Sequence, residues 1–375
     1  MGSSERIVKE TLTGICMRFQ LSGELTDCRP ITRGNINTSW YVELRDGNHV
    51  GQYLVQRINR HVFPDPAGLM GNIDRITRHL TEKEQGSPNH RVLHFYHTAE
   101  GTNYTVLDNR GTAEYWRLCD YIGNSVTFDA GEGGLSVLLS AGKAFGRFTR
   151  QLLDFDPALL TETIPYFHDT PCRLQALFEA VENDPLDRVK SGEKEIGIIR
   201  ENGDFAATLQ RQLDRGELPL RVTHNDTKTN NVLFHRDTLE PLAVIDLDTC
   251  MPGLVCHDFG DMIRFAACAA DKADPSRQTL DLKRFRACAA GYLAETGDFL
   301  TPAELDSLAT GAAVITLELA SRFLTDHLTG DHYFRIEHPE HNLVRAQGQL
   351  SLFQDMMAHM EEMQAIISKL SSASH

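Results

Sequence analysis

Closely paired cysteines and long apolar runs are both missing from this 375-residue sequence, and each absence excludes a class of protein. The eight cysteines are scattered, and no C-x-x-C pair occurs. Zinc sites and disulfide frameworks use tighter spacings, so we predict reduced thiols and a cytoplasmic protein. No uninterrupted apolar run is long enough to span a bilayer, and the opening residues MGSSERIVKE lack the apolar core of a signal peptide.

Positive charge is also scarce, since 37 Lys and Arg face 52 Asp and Glu, for a net charge of −15. Nucleic acids and anionic membranes both require basic patches, so we predict neither as a partner. The acidity could favour a cationic substrate, although solubility explains it more simply. No internal repeat or low-complexity tract is visible, and the length favours two lobes over one core.

The polar residues most suited to chemistry lie between residues 221 and 265. Asp226 is followed by Asn231, and a strand-like apolar run then leads into Asp246. One carboxylate can orient an attacking hydroxyl and accept its proton, while the amide oxygen and the second carboxylate can hold Mg²⁺. His224 is expected to tie the loop to the backbone. The alternative is a polar β-hairpin whose His, Asn and Asp side chains cap turns locally.

The order His-x-Asp-x4-Asn from His224 to Asn231, followed by Ile245-Asp246, resembles the aminoglycoside-phosphotransferase and choline-kinase superfamily, which is related to the protein kinases. The longer stretches THNDTKTNN, VIDLDTCMPG and DFGDMIRF resemble the bacterial N-acetylhexosamine 1-kinases. This resemblance implies that ATP is the co-substrate, that Asp226 is the catalytic base, and that Asn231 and Asp246 bind Mg²⁺.

The N-terminal third changes its hydrophobic period several times. Residues 5–21 form a stripe typical of an amphipathic helix, and Asp65-Pro66 is a favourable helix start. Asp46-Gly47 is a strong turn signal between two strands. We predict short antiparallel strands at 40–44, 53–55, 92–98, 104–108 and 114–122.

The same resemblance assigns nucleotide contacts in this region. A G-x-x-N loop covers the phosphates in the resembled family, which places Gly34 and Asn37 over them. Kinase-like folds usually carry a Lys or Arg near the end of the next strand, where Arg57 stands here, although a surface arginine closing a strand explains it nearly as well. Asp74 could pair with Arg57 or be a solvated helix charge. The last strand ends at Tyr121, in the hinge expected to meet the adenine.

Beyond residue 123 the pattern is helical almost throughout. The stretches SRFLTDHLTGDHYF and HPEHNLVR resemble the hexosamine kinases, which raises Arg322 and Tyr333 as contacts of the sugar. Guanidinium and phenol groups suit ring hydroxyls and an acetamido carbonyl. Thr249, three residues past Asp246, could face the sugar ring whose anomeric hydroxyl Asp226 deprotonates. A surface ion pair between Arg322 and Asp326 is the simpler alternative.

The sequence therefore predicts an α+β, protein-kinase-like two-lobe fold. A small antiparallel β lobe with one long helix spans residues 1–121, and a large, mainly helical lobe spans 122–375. The expected activity is ATP- and Mg²⁺-dependent phosphorylation of N-acetylglucosamine or N-acetylgalactosamine at the 1-position, by a monomer or homodimer with only small-molecule partners. The alternatives are a kinase of another small alcohol, such as an aminoglycoside or choline, and a catalytically inactive nucleotide-binding regulator.

Overall fold

The computed structural model describes residues 3–32, 36–84, 90–270 and 274–372. The chain divides into two compact units. The first unit comprises Met1–Ser125 and Leu159–Ile164, and the second comprises Val126–Ala158 and Pro165–His375. The short return segment belongs to the first unit because Asn72 holds it there: its Oδ1 accepts from the Thr161 amide at 2.9 Å, and its Nδ2 donates to the Thr161 carbonyl at 2.7 Å.

A five-stranded antiparallel sheet in the order β1-β2-β3-β5-β4 is the framework of the first unit. The strands are β1 (Glu24–Ile31), β2 (Thr38–Asp46), β3 (His49–Arg57), β4 (Thr105–Asn109) and β5 (Thr112–Asp120). The predicted turn between β2 and β3 is confirmed, since Asp46 pairs with His49 and Gly47 takes the left-handed φ of 57° that glycine tolerates.

One predicted strand is wrong, and another strand replaces it. Residues 92–98 form no strand, although Phe95 makes an isolated bridge to Cys119 and is buried. The apolar residues that suggested a strand are there because the segment packs into the core, without a continuous ladder. The fifth strand is β1, at the edge of the sheet, where most side chains are exposed. An edge strand with few buried residues carries too little apolar alternation to be found by pattern.

Helices cover both faces of this sheet. α1 (Ser3–Arg18) packs residues such as Leu12 and Ile15 against Val55, Trp116 and Leu118. α2 (Pro66–Lys83) begins as predicted, with the Asp65 side chain accepting from the Gly68 amide at 3.0 Å. Side chains alternate along a strand, so the residue between Trp116 and Leu118 points away from α1. That residue, Arg117, reaches α2, where its Nη1 lies 3.9 Å from the Met70 sulfur.

The second unit is mainly helical, with short strand pairs between its helices. Its helices are α3 (Leu135–Gln151), α4 (Thr170–Asn183), α5 (Glu193–Glu201), α6 (Gly203–Ala206), α7 (Thr208–Asp214), α8 (Val255–Ala266), α9 (Leu282–Thr296), α10 (Pro302–Thr329), α11 (His341–Ala358) and α12 (Met360–Ser372). Its paired strands are β7 (Arg221–Thr223) with β10 (Met251–Gly253), β8 (Val232–His235) with β9 (Pro241–Val244), and β11 (Cys268–Ala270) with β12 (Gln278–Leu280), while β6 (Ser125–Val126) lies where the two units meet in sequence.

The 28-residue helix α10 is long and apolar enough to cross a membrane by length and composition alone, with a mean hydropathy of 1.3 over its best window. However, 72% of that window is buried inside the protein, as in a core helix. Polar residues such as Thr316 and Glu318 interrupt it, so a search for uninterrupted apolar runs does not find it. The helix contacts α4, α8, α11 and α12, and it is the main support of the second unit.

Glycines allow α8 and α10 to cross closely. A Cβ added to Gly311 would lie 2.2 Å from the Cys256 carbonyl oxygen, and one added to Gly260 would lie 2.6 Å from the Gly311 carbonyl carbon. These neighbours are backbone atoms, which cannot move aside as a flexible side chain can. The distance between the two helices is therefore set by the absence of side chains at this crossing.

We expect Gly311→Ala to lower the free energy of unfolding by about 1–3 kcal/mol, because the added methyl forces the two helices apart. Gly197 is a matched control, since it lies inside α5 and its added Cβ would meet no described atom within 4 Å. Alanine there should instead stabilise by about 0.5–1 kcal/mol through helix propensity. Urea titrations measure both changes, and a stabilising Gly311→Ala would contradict the close crossing.

Candidate active site

The predicted catalytic residues lie on two short connections in the second unit. Asp226 follows β7, and Asp246 follows β9. The hairpin of β8 and β9 brings the connections together, because the Ile245 amide donates to the Asn231 carbonyl at 2.9 Å. Asn231, just before β8, thus lies beside Ile245, which precedes Asp246.

Asp226 is half-buried and its two carboxylate oxygens have different partners. Oδ1 lies 2.7 Å from Lys228 Nζ, and Oδ2 accepts from Asn231 Nδ2 at 2.8 Å. Burial opposes ionisation, but the charge and hydrogen bond of Lys228, aided by the Asn231 amide, outweigh it and lower the pKa of Asp226. The carboxylate is therefore ionised at neutral pH and can orient a hydroxyl group.

Asn231 and Asp246 offer the oxygen atoms that Mg²⁺ prefers. Asn231 Nδ2 donates to both the carbonyl and the carboxylate of Asp226, at 2.8 Å each. Within the described part of the chain its Oδ1 accepts no hydrogen bond, so this oxygen is available to a cation. Asp246 is exposed, and its φ of 62° is uncommon for a residue other than glycine. Such backbone conformations cluster at functional sites, and the donor set fits Mg²⁺.

Asp258 on α8 fixes the backbone of the loop that carries Asp226. Its Oδ2 accepts from the His224 amide at 2.8 Å, and its Oδ1 accepts from the Asn225 amide at 2.7 Å. Its carbonyl accepts from Thr227 Oγ1 at 2.5 Å. Burial raises the pKa of Asp258 to about 6. A single buried carboxylate thus satisfies two consecutive amides, which positions the next residue, Asp226.

His224 ties the two connections together. Its Nε2 lies 2.9 Å from the Ile245 carbonyl oxygen, and its ring packs edge-on against Phe145 and Phe148 of α3, with centroids 5.7 and 5.6 Å away. The predicted attachment of this histidine to the backbone is confirmed. Its Nδ1 accepts from the Asp226 amide at 3.3 Å, so the ring also touches the residue it supports.

Thr249 joins the same framework. It is buried, and its Oγ1 donates to the His224 carbonyl at 2.6 Å. Its own carbonyl accepts from the Asn225 amide side chain at 2.9 Å. The residue therefore links the connection after β9 to the loop of Asp226, and its predicted contact with the sugar stays a prediction.

Arg322 on α10 lies among aromatic rings. Its guanidinium carbon is 5.0 Å from the Phe167 ring centroid, 5.5 Å from that of Tyr333 and 5.7 Å from that of Phe334. Its Nη2 donates to the Tyr333 hydroxyl at 3.3 Å. The two predicted sugar contacts, Arg322 and Tyr333, are thus neighbours. Tyr333 is 47% exposed, so part of the residue is open to a ligand.

The alternative surface ion pair between Arg322 and Asp326 is wrong. Asp326 is buried, and its carboxylate accepts the amides of His332, Tyr333 and Phe334 at 2.8–2.9 Å. An i,i+4 spacing brought the two residues to one side of the helix, but three amides outcompete one half-buried guanidinium. Asp326 shapes the loop that presents Tyr333.

Among the predicted nucleotide contacts, Gly34 lies outside the described residues. Asn37 Oδ1 accepts from the Asn59 amide at 3.0 Å. Arg57 Nη1 pairs with Glu114 at 2.7 Å, and its guanidinium lies 6.0 Å from the Trp116 ring, on the α1 side of the sheet. Its predicted contact with phosphate stays a prediction.

The proposed pairing of Arg57 with Asp74 is wrong. Asp74 pairs with Arg78 one turn along α2 and with His97, at 2.5 and 3.0 Å. Strand alternation explains the difference, because Arg57 has the parity of the residues that face α1 whereas Asp74 lies on α2. Gln56 has the opposite parity, and its Oε1 accepts from Arg117 at 3.0 Å.

Tyr121 follows β5, as the predicted hinge requires. Its amide donates to the Gln52 carbonyl at 3.1 Å, and its ring packs edge-on against Tyr41 with centroids 4.8 Å apart. Together with Asp120 and Ile122 it lines an open pocket of about 270 Å³ in the first unit. A contact of Tyr121 with adenine stays a prediction.

Lys228 and Asp258 were missed as site residues from the sequence. Lys228 had a usable signal, because it stands two residues from Asp226 in the text DTK, and extended residues at that spacing face the same side. Asp258 begins the stretch DFGDMIRF, which carries part of the resemblance, but nothing in the sequence shows that its side chain holds the Asp226 loop. It lies more than thirty residues from the loop it holds, and only the packing of α8 brings it there.

Known proteins resemble this chain along most of its length. A microcompartment-associated aminopropanol kinase is 18% identical with a TM-score of 0.60, over 95% of this chain and 98% of that one. An amicoumacin kinase is 13% identical with a TM-score of 0.59, over 97% and 93%. A choline kinase from Cryptosporidium parvum is 12% identical with a TM-score of 0.53, over 96% and 99%.

These likenesses confirm the predicted α+β, kinase-like fold, with an antiparallel β lobe and a helical lobe. The family model described as phosphotransferase enzyme family (APH) matches residues 27–294, which is well over half of the chain and includes Asp226, Asn231 and Asp246. The chain belongs to this phosphotransferase family.

Proposed function

We propose that the protein is an ATP- and Mg²⁺-dependent kinase that phosphorylates N-acetylglucosamine or N-acetylgalactosamine at the 1-position. The observation that carries phosphoryl transfer to an alcohol is the ionised Asp226 carboxylate, held between Lys228 and Asn231. Asp246 follows Ile245, whose amide donates to the Asn231 carbonyl. The choice of sugar is supported by the resemblance of the C-terminal sequence and by the adjacent Arg322 and Tyr333.

In this mechanism Asp226 orients the anomeric hydroxyl and receives its proton as the oxygen bonds to the γ-phosphorus of ATP and the bond to ADP breaks. Lys228 and Asn231 hold the carboxylate in one orientation, so little reorganisation is needed during transfer. Bound Mg²⁺, held by Asn231 Oδ1 and Asp246, would neutralise phosphate charge. Gly34, Asn37, Arg57 and Tyr121 are proposed to bind the nucleotide.

The arginine cluster favours a neutral sugar over a cationic alcohol. Burial and then the charge of Arg322 lower the pKa of Arg173, while the buried Glu318, which is bonded to His168, raises it, so two guanidinium groups lie near one carboxylate that already has partners. A protonated aminoglycoside or choline would be repelled here. Hydroxyl and acetamido groups would instead accept hydrogen bonds from Arg322 and Tyr333, while Phe167 and Phe334 offer apolar surface to the ring.

The inactive-regulator alternative is disfavoured because Asp226, Asn231 and Asp246 are all present and the first two are joined by hydrogen bonds suited to catalysis. All eight cysteines are free thiols, which agrees with the proposed cytoplasmic location. We keep a monomer or homodimer as the proposed assembly.

A coupled ADP-release screen over N-acetylhexosamines, plain hexoses, aminoglycosides and choline tests the proposal. We expect an N-acetylhexosamine to have the highest kcat/KM, and phosphorus NMR of the product to place the phosphate on the anomeric oxygen. Phosphate on a 6-hydroxyl, or a best substrate without a sugar ring, would refute the 1-kinase assignment.

Replacing Arg322 tests the sugar site. Arg322→Ala should raise KM for the N-acetylhexosamine at least ~10-fold, because a polar group of the sugar loses its hydrogen-bond partner. KM for ATP should change little. Arg200→Ala is the matched control, since Arg200 also lies over an aromatic ring, that of Phe178 at 5.5 Å, but on α5. Equal effects of both substitutions on the sugar KM would rule out a specific role for Arg322.

A further inference from the structure

The peptide group between Asn225 and Asp226 is held at both of its polar atoms. Its N–H donates to His224 Nδ1 at 3.3 Å, as described above. Its carbonyl oxygen lies 3.2 Å from Nε2 of His168, which precedes α4. Asn225 itself has a left-handed φ of 61°, so the chain turns sharply just before the catalytic residue. The orientation of this peptide decides where the Asp226 side chain begins.

His168 is held in turn by Glu318 of α10. Its Nδ1 lies 2.9 Å from Glu318 Oε1, and the Thr170 hydroxyl donates to Glu318 Oε2 at 2.7 Å. The Glu318 side chain is only 2% exposed. Burial disfavours its charge, but the positive charge of His168 and then that of Arg322 prevail, and the pKa of Glu318 falls to about 2. Both oxygens of Glu318 are therefore acceptors.

The two partners of the His168 ring can only accept hydrogen bonds. A carbonyl oxygen and an ionised carboxylate both require a donor, so the two bonds form together only when each ring nitrogen carries a hydrogen. The ring centroid of His257 lies 5.3 Å from that of His168. His257 is neutral at neutral pH, because burial and then the charge of His168 lower its pKa to about 3. His168 and Glu318 are thus a buried, hydrogen-bonded pair.

The same support reaches the proposed sugar site. Phe167 precedes His168, and Arg322 lies over the Phe167 ring. Glu318 and Arg322 are one turn apart on α10, which is a single rigid element. One short segment and one helix therefore contact both the Asp226 loop and the arginine proposed to bind the sugar.

We propose that His168 and Glu318 are positioning residues that fix the Asn225–Asp226 peptide and hold the Asp226 carboxylate at the place where the substrate hydroxyl binds. The proposal rests on the proposed phosphoryl transfer at Asp226. Glu318, which holds His168 in place, lies on the same helix as Arg322.

Two substitutions test it without emptying the core. His168→Phe keeps a ring against Phe167 and His257 and removes both hydrogen bonds, and Glu318→Gln keeps the shape and removes the charge. Each should lower kcat by roughly 10- to 100-fold, because small misplacement of a catalytic group is costly, and should leave KM for ATP within about threefold.

Glu304→Gln is the matched control. Glu304 is another buried carboxylate at the far end of α10, bonded to Arg221 at 2.6 and 2.9 Å and to the Thr301 amide. The Glu304→Gln variant should show a fall in melting temperature similar to that of the two test variants, but its kcat should equal that of the wild type. If His168→Phe and Glu318→Gln leave kcat near that of the wild type, or if all three variants lose kcat in proportion to melting temperature, positioning is overturned.

The kcat ratios are measured on the best acceptor alcohol in the ADP-release screen, or on ATP hydrolysis with water as acceptor if no alcohol reacts. A product other than the sugar 1-phosphate would then refute the proposed function alone. The ratio of kcat between variant and wild type would still decide whether His168 and Glu318 position Asp226.

Discussion

Asp226→Asn is expected to reduce kcat at least ~10²-fold while the fold and the nucleotide affinity are kept. The amide cannot take the proton of the attacking hydroxyl. It also places an N–H group against a donor in either orientation, because Lys228 Nζ contacts one oxygen of Asp226 and Asn231 Nδ2 contacts the other. Steady-state kinetics, nucleotide titration and a thermal melt together separate lost chemistry from lost structure.

Asp237→Asn is the matched control for this change. Asp237 follows β8 in an exposed turn, so the same replacement removes a carboxylate from the hairpin without touching the site. Its kcat should stay within about twofold of the wild type, as is usual for surface positions. An Asp226→Asn enzyme that turns over within a few-fold of the wild type would remove Asp226 from the role of base.

Asp246→Ala is expected to abolish turnover, or to demand far more Mg²⁺ for what remains. Mg²⁺ binds through few protein oxygens and otherwise through water and phosphates, so losing one of the two proposed protein ligands would leave Asn231 alone. A Mg²⁺ titration of the rate at saturating ATP measures the effect, with Asp237→Ala as the control. If rate and Mg²⁺ dependence are unchanged, the ligand must lie elsewhere, and the buried Asp248 is the first residue to examine.

Local signals explain what could be predicted from the sequence in the first unit. The start of α2 is determined by Asp65 and the proline after it, and the turn of β2 and β3 by Asp46-Gly47, so neighbouring residues were enough. β1 was missed because an exposed edge strand needs little apolar patterning. The opposite error at 92–98 arose because burial, rather than strand pairing, produced its apolar residues.

The candidate site follows the same division. Asp226, Asn231 and Asp246 could be found because they lie within one hairpin and its flanking loops, where spacing in sequence is spacing in space. The contacts of Asp258 and His168 with the loop could not be predicted, since each residue reaches it from a distant part of the chain. The sequence could have shown that Arg57 lies on the same face of β3 as Val55. Which face meets α1 is decided only when the helices pack.

The close crossing of α8 and α10 has a consequence for protein engineering. Replacing helical glycines by alanine is a common route to thermostable enzymes, since it reduces the freedom of the unfolded chain. We expect that route to fail at Gly260 and Gly311. Asp258 on α8 contacts the Asn225 backbone directly, and Glu318 on α10 contacts it through His168. A methyl group between the helices would shift one anchor relative to the other, so catalysis would decline even in a variant that other substitutions had made more heat-resistant.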